Sequence, residues 1–200
     1  MRDRVRTIVY MVIVTAVATA LMTGAKFLVE DRIRTNERLF QNRAELYGLG
    51  VIPLTERLHP AEVERLHEAR VKRAEEDSQV WLDAYDEEGV APTAVGIEFR
   101  GQGFWGPIQG ILSADPSGEK IVGLYISSHQ ETPGLGGRIA EQEFLSQFKE
   151  RPIPEADPEG AYRLWQPTDA ITGATRTSES MERILNKATA DLMQRMGEEQ

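Results

Sequence analysis

The ten residues from Asp169 to Ser178, DAITGATRTS, crowd four hydroxyl side chains (Thr172, Thr175, Thr177 and Ser178) around a single Gly-Ala pair. Directly behind them Met181, Ile184, Leu185, Ala188, Leu192 and Met196 recur at helical spacing on one stripe. Hydroxyls just ahead of a helix have three chemical uses. They cap its free amides, they help those amides hold an anion against the positive end of the macrodipole, or they carry a covalent group. The pattern predicts a helix whose amino end falls near Thr177 or Ser178. Gly173 and Ala174 would leave the backbone uncovered for a close ligand, and Arg176 could add a charge-assisted bond. On spacing alone, plain capping and anion binding both stay open.

Composition narrows the chemistry. The 200 residues carry a formal net charge of −9, from 32 acidic and 23 basic side chains, and no Lys/Arg block stands apart from acidic neighbours. That argues against nucleic acid, whose phosphates require a basic face. There is no cysteine, which excludes disulfides, thiolate chemistry and cysteine-held clusters. The three histidines, His59, His67 and His129, have no metal-ligand spacing, so no metal site is expected, and His59 and His67 read as residues of a solvated helix face. Any cofactor is therefore expected to be organic.

The elements that would position these residues follow a basic tail, MRDRVR, and a long apolar run from Thr7 to Leu28 whose only charge is Lys26. At about 1.5 Å per residue the run reaches roughly 33 Å, enough for a hydrocarbon core of roughly 30 Å. AVATA offers small residues at cleavage-like spacing, but the apolar run continues beyond it and favours a retained anchor. Arginines flank both ends, so the positive-inside count does not fix orientation; the short basic tail favours a cytoplasmic amino terminus with the main domain outside.

After the anchor, Pro60 fits the first turn of a polar surface helix running through residues 61–77. Residues 80–85 read as a short strand. Val95, Ile97 and Phe99 alternate as in a half-buried strand. Residues 108–114 and 120–128 read as strands paired antiparallel across the turn at Asp115, Pro116, Ser117 and Gly118. A helix from Ile139 should present Phe144, Leu145 and Phe148, and residues 161–166 read as a last strand. The expected class is α+β, an antiparallel sheet packed with helices behind one transmembrane helix. The expected divisions are a cytoplasmic tail (1–6), an anchor (7–28), a helical linker with the start of the domain (29–90) and a domain core (91–200).

Three stretches read together, GQGFWGPIQG (101–110), HQETPGLGGRI (129–139) and DAITGATRTS (169–178), resemble the FMN-binding domain shared by the C subunit of the sodium-pumping NADH:quinone oxidoreductase and the G subunit of the Rnf complex. The last matches that family's flavinylation motif, Asp-x-x-Ser/Thr-Gly-Ala-Thr, with Thr172 where Ser is common. The resemblance implies FMN joined to Thr175 by a phosphoester, with Thr172, Gly173 and Ala174 completing the motif and Thr177 bonding the phosphate. It implies that Glu131, Thr132 and Leu135 lie against the isoalloxazine ring with Trp105 nearby. Asp169 would be read by a magnesium-dependent flavin transferase that takes the FMN moiety from FAD. It further implies an electron-carrier subunit rather than a self-contained catalyst, held by lipid in the bacterial inner membrane with its domain on the periplasmic side, and partnered by other subunits of an ion-translocating redox complex. A noncovalent phosphate-binding module and an unmodified structural subunit are the competing readings.

Overall fold

The computed structural model describes residues 2–76, 78–164 and 171–198. The chain divides into two units, residues 1–40 and 41–200. The first belongs to helix α1 (Arg2–Gly48), which contains an 18-residue window of mean hydropathy 2.0, none of it buried within the chain. Tyr10, Leu21, Met22, Phe27 and Leu28 are all exposed. A fully apolar surface of this length is long and apolar enough to cross a membrane.

The second unit is built on a five-stranded meander, β1 (Val71–Glu76), β2 (Gln79–Tyr85), β3 (Pro92–Gln102), β4 (Pro107–Ala114) and β5 (Ile121–Ser128), in that spatial order. Each strand pairs antiparallel with the next, because links this short cannot make a parallel crossover. Side chains alternate between two covered faces. On one, helix α4 (Thr175–Glu198) presses Met181, Ile184, Leu185, Ala188 and Leu192 against Ile97, Phe99, Ile108 and Leu112, joined by Phe144, Leu145 and Phe148. On the other, Leu46, Tyr47, Leu49 and Ile52, with Val63 of α2 (Pro60–Arg70), cover Val71, Leu82, Ala84, Ala94 and Ile111. Each large apolar side chain fully buried here contributes about 1.5–3 kcal/mol. The α+β class, with an antiparallel sheet and an apolar amino-terminal helix, is as the sequence implied.

Several local expectations differ. β3 is covered on both faces rather than half-buried, because small residues admit the end of α1 and the residue after it: a Cβ on Gly96 of β3 would lie 2.9 Å from Leu49 Cδ2, and one on Gly123 of β5 would lie 2.5 Å from the Gly48 carbonyl oxygen. The Ser113 hydroxyl donates to that same carbonyl at 2.7 Å, satisfying one of the acceptors a helix terminus leaves open. The expected helix over 61–77 stops at Arg70 and continues as β1, since its second half pairs with β2 in register from Val71 opposite Ala84. His67 does not face solvent; its Nε2 lies 2.6 Å from the buried Glu45 carboxylate, which also receives Arg73. His59 is the exposed cap of α2, its Nδ1 accepting from the Ala61 N–H. The helix expected from Ile139 is broken into a 3₁₀ turn (Gly136–Ala140), the single turn α3 (Gln142–Leu145) and a second 3₁₀ turn (Ser146–Phe148), though Phe144, Leu145 and Phe148 are buried as expected. Among the described residues of the expected last strand, 161–164 are not in the sheet.

The β4–β5 turn is held by Asp115. Burial alone would raise its carboxyl pKa, but the Ser117 hydroxyl and the backbone N–H groups of Lys120 and Glu119 donate to it and hold it below its ordinary 3.8. A carboxyl lowered on folding adds stability above its unfolded pKa, and that contribution disappears as pH falls through the folded value. Asp115→Asn should therefore lower the urea midpoint at pH 7, with the gap to the parent chain closing below about pH 4. An equal gap at pH 7 and pH 3 would contradict this role.

Candidate functional site

The three stretches that stand far apart in sequence meet at one cleft of about 410 Å³, lined by Phe104, Trp105, Glu131, Leu135, Thr175 and Thr177 among others. That volume lies within the usual range of small-molecule sites, roughly 300–1,000 Å³. One wall is the four-residue turn between β3 and β4, closed by the Gly103 N–H donating to the Gly106 carbonyl at 2.9 Å. The second wall is the loop leaving β5. There the Thr132 carbonyl accepts from the amides of Leu135 (3.2 Å) and Gly137 (2.9 Å), and Gly134 turns the chain at φ 74°. The third is the amino end of α4. A turn closed by Ala174 N–H to Ile171 O at 2.9 Å delivers it, with Gly173 at φ 80°, a left-handed value that glycine adopts at least cost.

The three walls are joined by a single carboxylate. Glu131 is 3% exposed. Its Oε1 accepts from the backbone N–H groups of Phe104 (2.8 Å) and Trp105 (3.0 Å), and its Oε2 accepts from the Thr177 hydroxyl at 2.6 Å. Its own amide donates to His129 Nδ1 at 3.2 Å. Two glycines make room for it. A Cβ on Gly103 would come within 2.5 Å of Oε1, and one on Gly136 would strike the Thr177 hydroxyl and lie 2.9 Å from Oε2. Sequence reasoning placed Glu131 at the site but did not find this bridging role or these two glycines; the Gly-x-Gly spacing in GQGFWG and the Gly pair in PGLGG were the available signals.

Helix α4 begins at Thr175, two or three residues earlier than the hydroxyl pattern suggested. Ser178 N–H is bonded to the Ala174 carbonyl at 3.0 Å, so the amides of Thr175, Arg176 and Thr177 form the opening turn, where no helical carbonyl precedes them. Neither later hydroxyl serves as the cap. Ser178 Oγ accepts from the Ile171 N–H at 3.2 Å, and Thr177 is committed to Glu131. Thr175 is exposed at the cleft rim, with Gly173 and Ala174 lining the cleft beside it. Thr172 stands apart. It is exposed in a shallow depression with Arg138, Glu141 and Gln147. Asp169 lies outside the described residues.

Across from Thr175 the cleft shows uncovered apolar surface. Trp105 is 65% exposed and Phe104 47%, their ring centroids 5.1 Å apart and nearly edge to face. The Arg176 guanidinium carbon lies 5.6 Å from the Phe104 ring centre, a cation–π distance. Leu135 is exposed, and a Cβ on Gly173 would touch its Cδ2 at 3.4 Å. Large rings left bare around a concave polar floor suit a flat aromatic ligand, while the helix amino end suits a phosphate. Among the described residues no group of acidic or histidine side chains is arranged to hold a metal.

Glu131→Ala would leave two backbone amides and a buried hydroxyl without their acceptor, at about 1–3 kcal/mol each where no water replaces it. The loss of folding stability should reach a few kcal/mol in urea denaturation. Glu131→Gln should lose clearly less, since an amide oxygen can still accept from both backbone groups. Equal losses would rule out the bridging role.

Residues 103–190 match the family model described as FMN-binding domain. Among its relatives, the chain is 33% identical over 97 residues to the C subunit of the Na(+)-translocating NADH-quinone reductase of Pasteurella multocida, covering 44% of this chain and 37% of that protein. It is 28% identical over 102 residues to the G subunit of the proton-translocating ferredoxin:NAD(+) oxidoreductase complex of Clostridium ljungdahlii, covering 51% and 55%. The match therefore spans roughly a third to a half of those relatives' lengths. In fold, the chain superposes on the crystal structure of the C subunit of the Na(+)-translocating NADH-quinone reductase from Parabacteroides distasonis with a TM-score of 0.65 at 19% identity, over 84% of this chain and 96% of that one.

Proposed function

We propose that this chain, whose residues 103–190 match the FMN-binding domain model, is a membrane-anchored electron carrier with FMN joined to Thr175 through a phosphoester. The observation that carries the reading is convergence. The hydroxyl at 175 stands at the first turn of α4, on the rim of the cleft that also gathers Trp105, Glu131, Thr132 and Leu135. A phosphate on that oxygen would sit beside the unbonded amides of the helix's opening turn and the positive end of its dipole. The flat ring system would then reach the exposed faces of Phe104, Trp105 and Leu135.

The flavin supplies reversible electron transfer; the chain supplies its position and surroundings. Glu131 holds the hairpin and the helix end at a fixed separation, and the bare rings exclude water from one side of the cleft. Among the described residues no hydrogen bond engages the Thr175 hydroxyl, and a threonine hydroxyl is a poor nucleophile without a base. A separate flavin transferase is therefore the reading for attachment. In that transfer the Thr175 Oγ–phosphorus bond forms, the bridging phosphorus–oxygen bond of FAD breaks, AMP leaves, and the hydroxyl proton passes to a base of the transferase. Asp169, at the head of the motif, is proposed as a recognition residue for that enzyme, with the exposed Thr172 as its companion.

The relatives, subunits of ion-translocating oxidoreductases by name, support a place in a multi-subunit redox complex. Lacking cysteine, the chain offers no thiolate-held second redox centre, so electrons would enter from and leave to partner subunits. The apolar part of α1 supports anchoring in lipid. We assign the domain to the periplasmic side of the bacterial inner membrane from the short basic tail.

Coexpression with a flavin transferase followed by denaturing gel electrophoresis tests the assignment. The parent chain should give a fluorescent band, and Thr175→Val should give none. A band surviving in Thr175→Val places the flavin elsewhere, and a dark parent band means a ligand held without a covalent bond or no flavin at all.

A further inference from the structure

A second groove, of about 310 Å³, lies beside the Thr175 cleft between β3 and α4. Its floor is apolar, with Phe99 and Ile184, and its rim carries Arg100, Arg183 and Lys187 against one acid, Asp191. All three cations are exposed, and among the described residues none of them forms an ion pair; Arg183 donates only to the Ser180 hydroxyl at 3.0 Å. This contrasts with Arg73, Arg138, Arg163 and Lys120, each of which meets a carboxylate. On α4, Arg183 and Lys187 are one turn apart, and Arg176 at the cleft lies two turns earlier on the same side. On β3, Arg100 leads through Gln102 directly into the turn that presents Phe104 and Trp105. Unpaired positive charge is thus concentrated next to bare aromatic surface on a chain whose net charge is −9.

We propose that this groove is the docking site for the electron-transfer partner, which meets it with an acidic face whose carboxylates pair with Arg100, Arg183 and Lys187 while its own redox centre is brought over Phe104 and Trp105. Such a charged rim steers encounter and sets orientation more than it adds affinity, and it suits a partner that must leave after each transfer. The surrounding acidic surface repels the same partner elsewhere, so the groove selects one orientation. Identifying the partner as a redox protein rests on the flavin reading; the preference for an acidic face does not.

The test uses the full-length, detergent-solubilised chain and two double variants with the same charge change, Arg183→Glu/Lys187→Glu at the groove and Arg57→Glu/Arg65→Glu on exposed positions away from it. Fluorescence anisotropy of labelled poly-L-glutamate reads binding without any need for flavin. The parent chain and the distant variant should bind it at low salt, and the groove variant should bind on the order of tenfold more weakly, with the difference fading as salt rises. Flavinylated, reduced protein gives a second readout. Each flavin passes two electrons to two ferricyanide ions and two protons to solvent. That reaction should slow in the groove variant alone, while reoxidation by the cationic hexaammineruthenium(III) should not slow. Equal binding losses in both variants, or no effect of the groove variant on either readout, would overturn the proposal. So would groove-dependent binding of phosphatidylglycerol vesicles that poly-L-glutamate does not displace, since the occupant would then be a membrane. Should protein extracted from membranes of cells with an active flavin transferase carry no flavin while still binding poly-L-glutamate through the groove, the acidic-face specificity would stand and the electron-transfer role would be refuted.

Discussion

The geometry of the site depends on one carboxylate taking three hydrogen bonds from two separate elements. Glu131 accepts from the backbone of the β3–β4 turn and from the first turn of α4 while itself standing on the loop after β5. Without it the three walls of the cleft are tied only by packing further down the core, and the aromatic surface at Trp105 has no fixed distance from Thr175. A buried charge is costly unless its lone pairs are met; here both oxygens are met, and the two glycines that flank it have no side chain to compete for the space. The bridge therefore converts a loop-built site, which would ordinarily be mobile, into one held by directional contacts.

Beneath this bridge the two-faced sheet supplies rigidity. Because α4 covers one side and the segment from Ala44 to Ile52 with α2 covers the other, the strands that end at the cleft are clamped from above and below. The packing is close enough to be read from single atoms: Gly101 admits Ile184 of α4, and Gly123 admits the Gly48 carbonyl. The helix that carries Thr175 is thus seated on the strand that carries the aromatic turn. A ligand joined to the one and lying on the other would be held by the fold as a whole.

Much of this was legible in sequence, for identifiable reasons. The α4 stripe from Met181 to Met196 was periodic enough to give both the helix and its buried face, and Asp115 to Gly118 gave a tight turn and so an antiparallel pair. Residues from all three motifs line one cleft, while Thr172 stands outside it. What was not legible depends on partners distant in sequence. Val71–Glu76 is polar and helix-like in composition and becomes a strand only because β2 is beside it. His67 is withdrawn from water by Glu45, 22 residues away. Thr177 looked like a candidate cap because hydroxyls just ahead of a helix usually are; its hydrogen-bond partner, Glu131, is 46 residues distant, and no local pattern encodes it.

The central claim is chemical, a phosphoester between the side-chain oxygen of residue 175 and FMN, and mass spectrometry of the peptide around it addresses it most directly. Protein extracted from membranes of cells with an active flavin transferase should yield a peptide containing residues 171–176 heavier by one FMN less one water, with fragment ions assigning the addition to Thr175. An unmodified peptide from that material, or the same mass assigned to Thr172, would contradict the account.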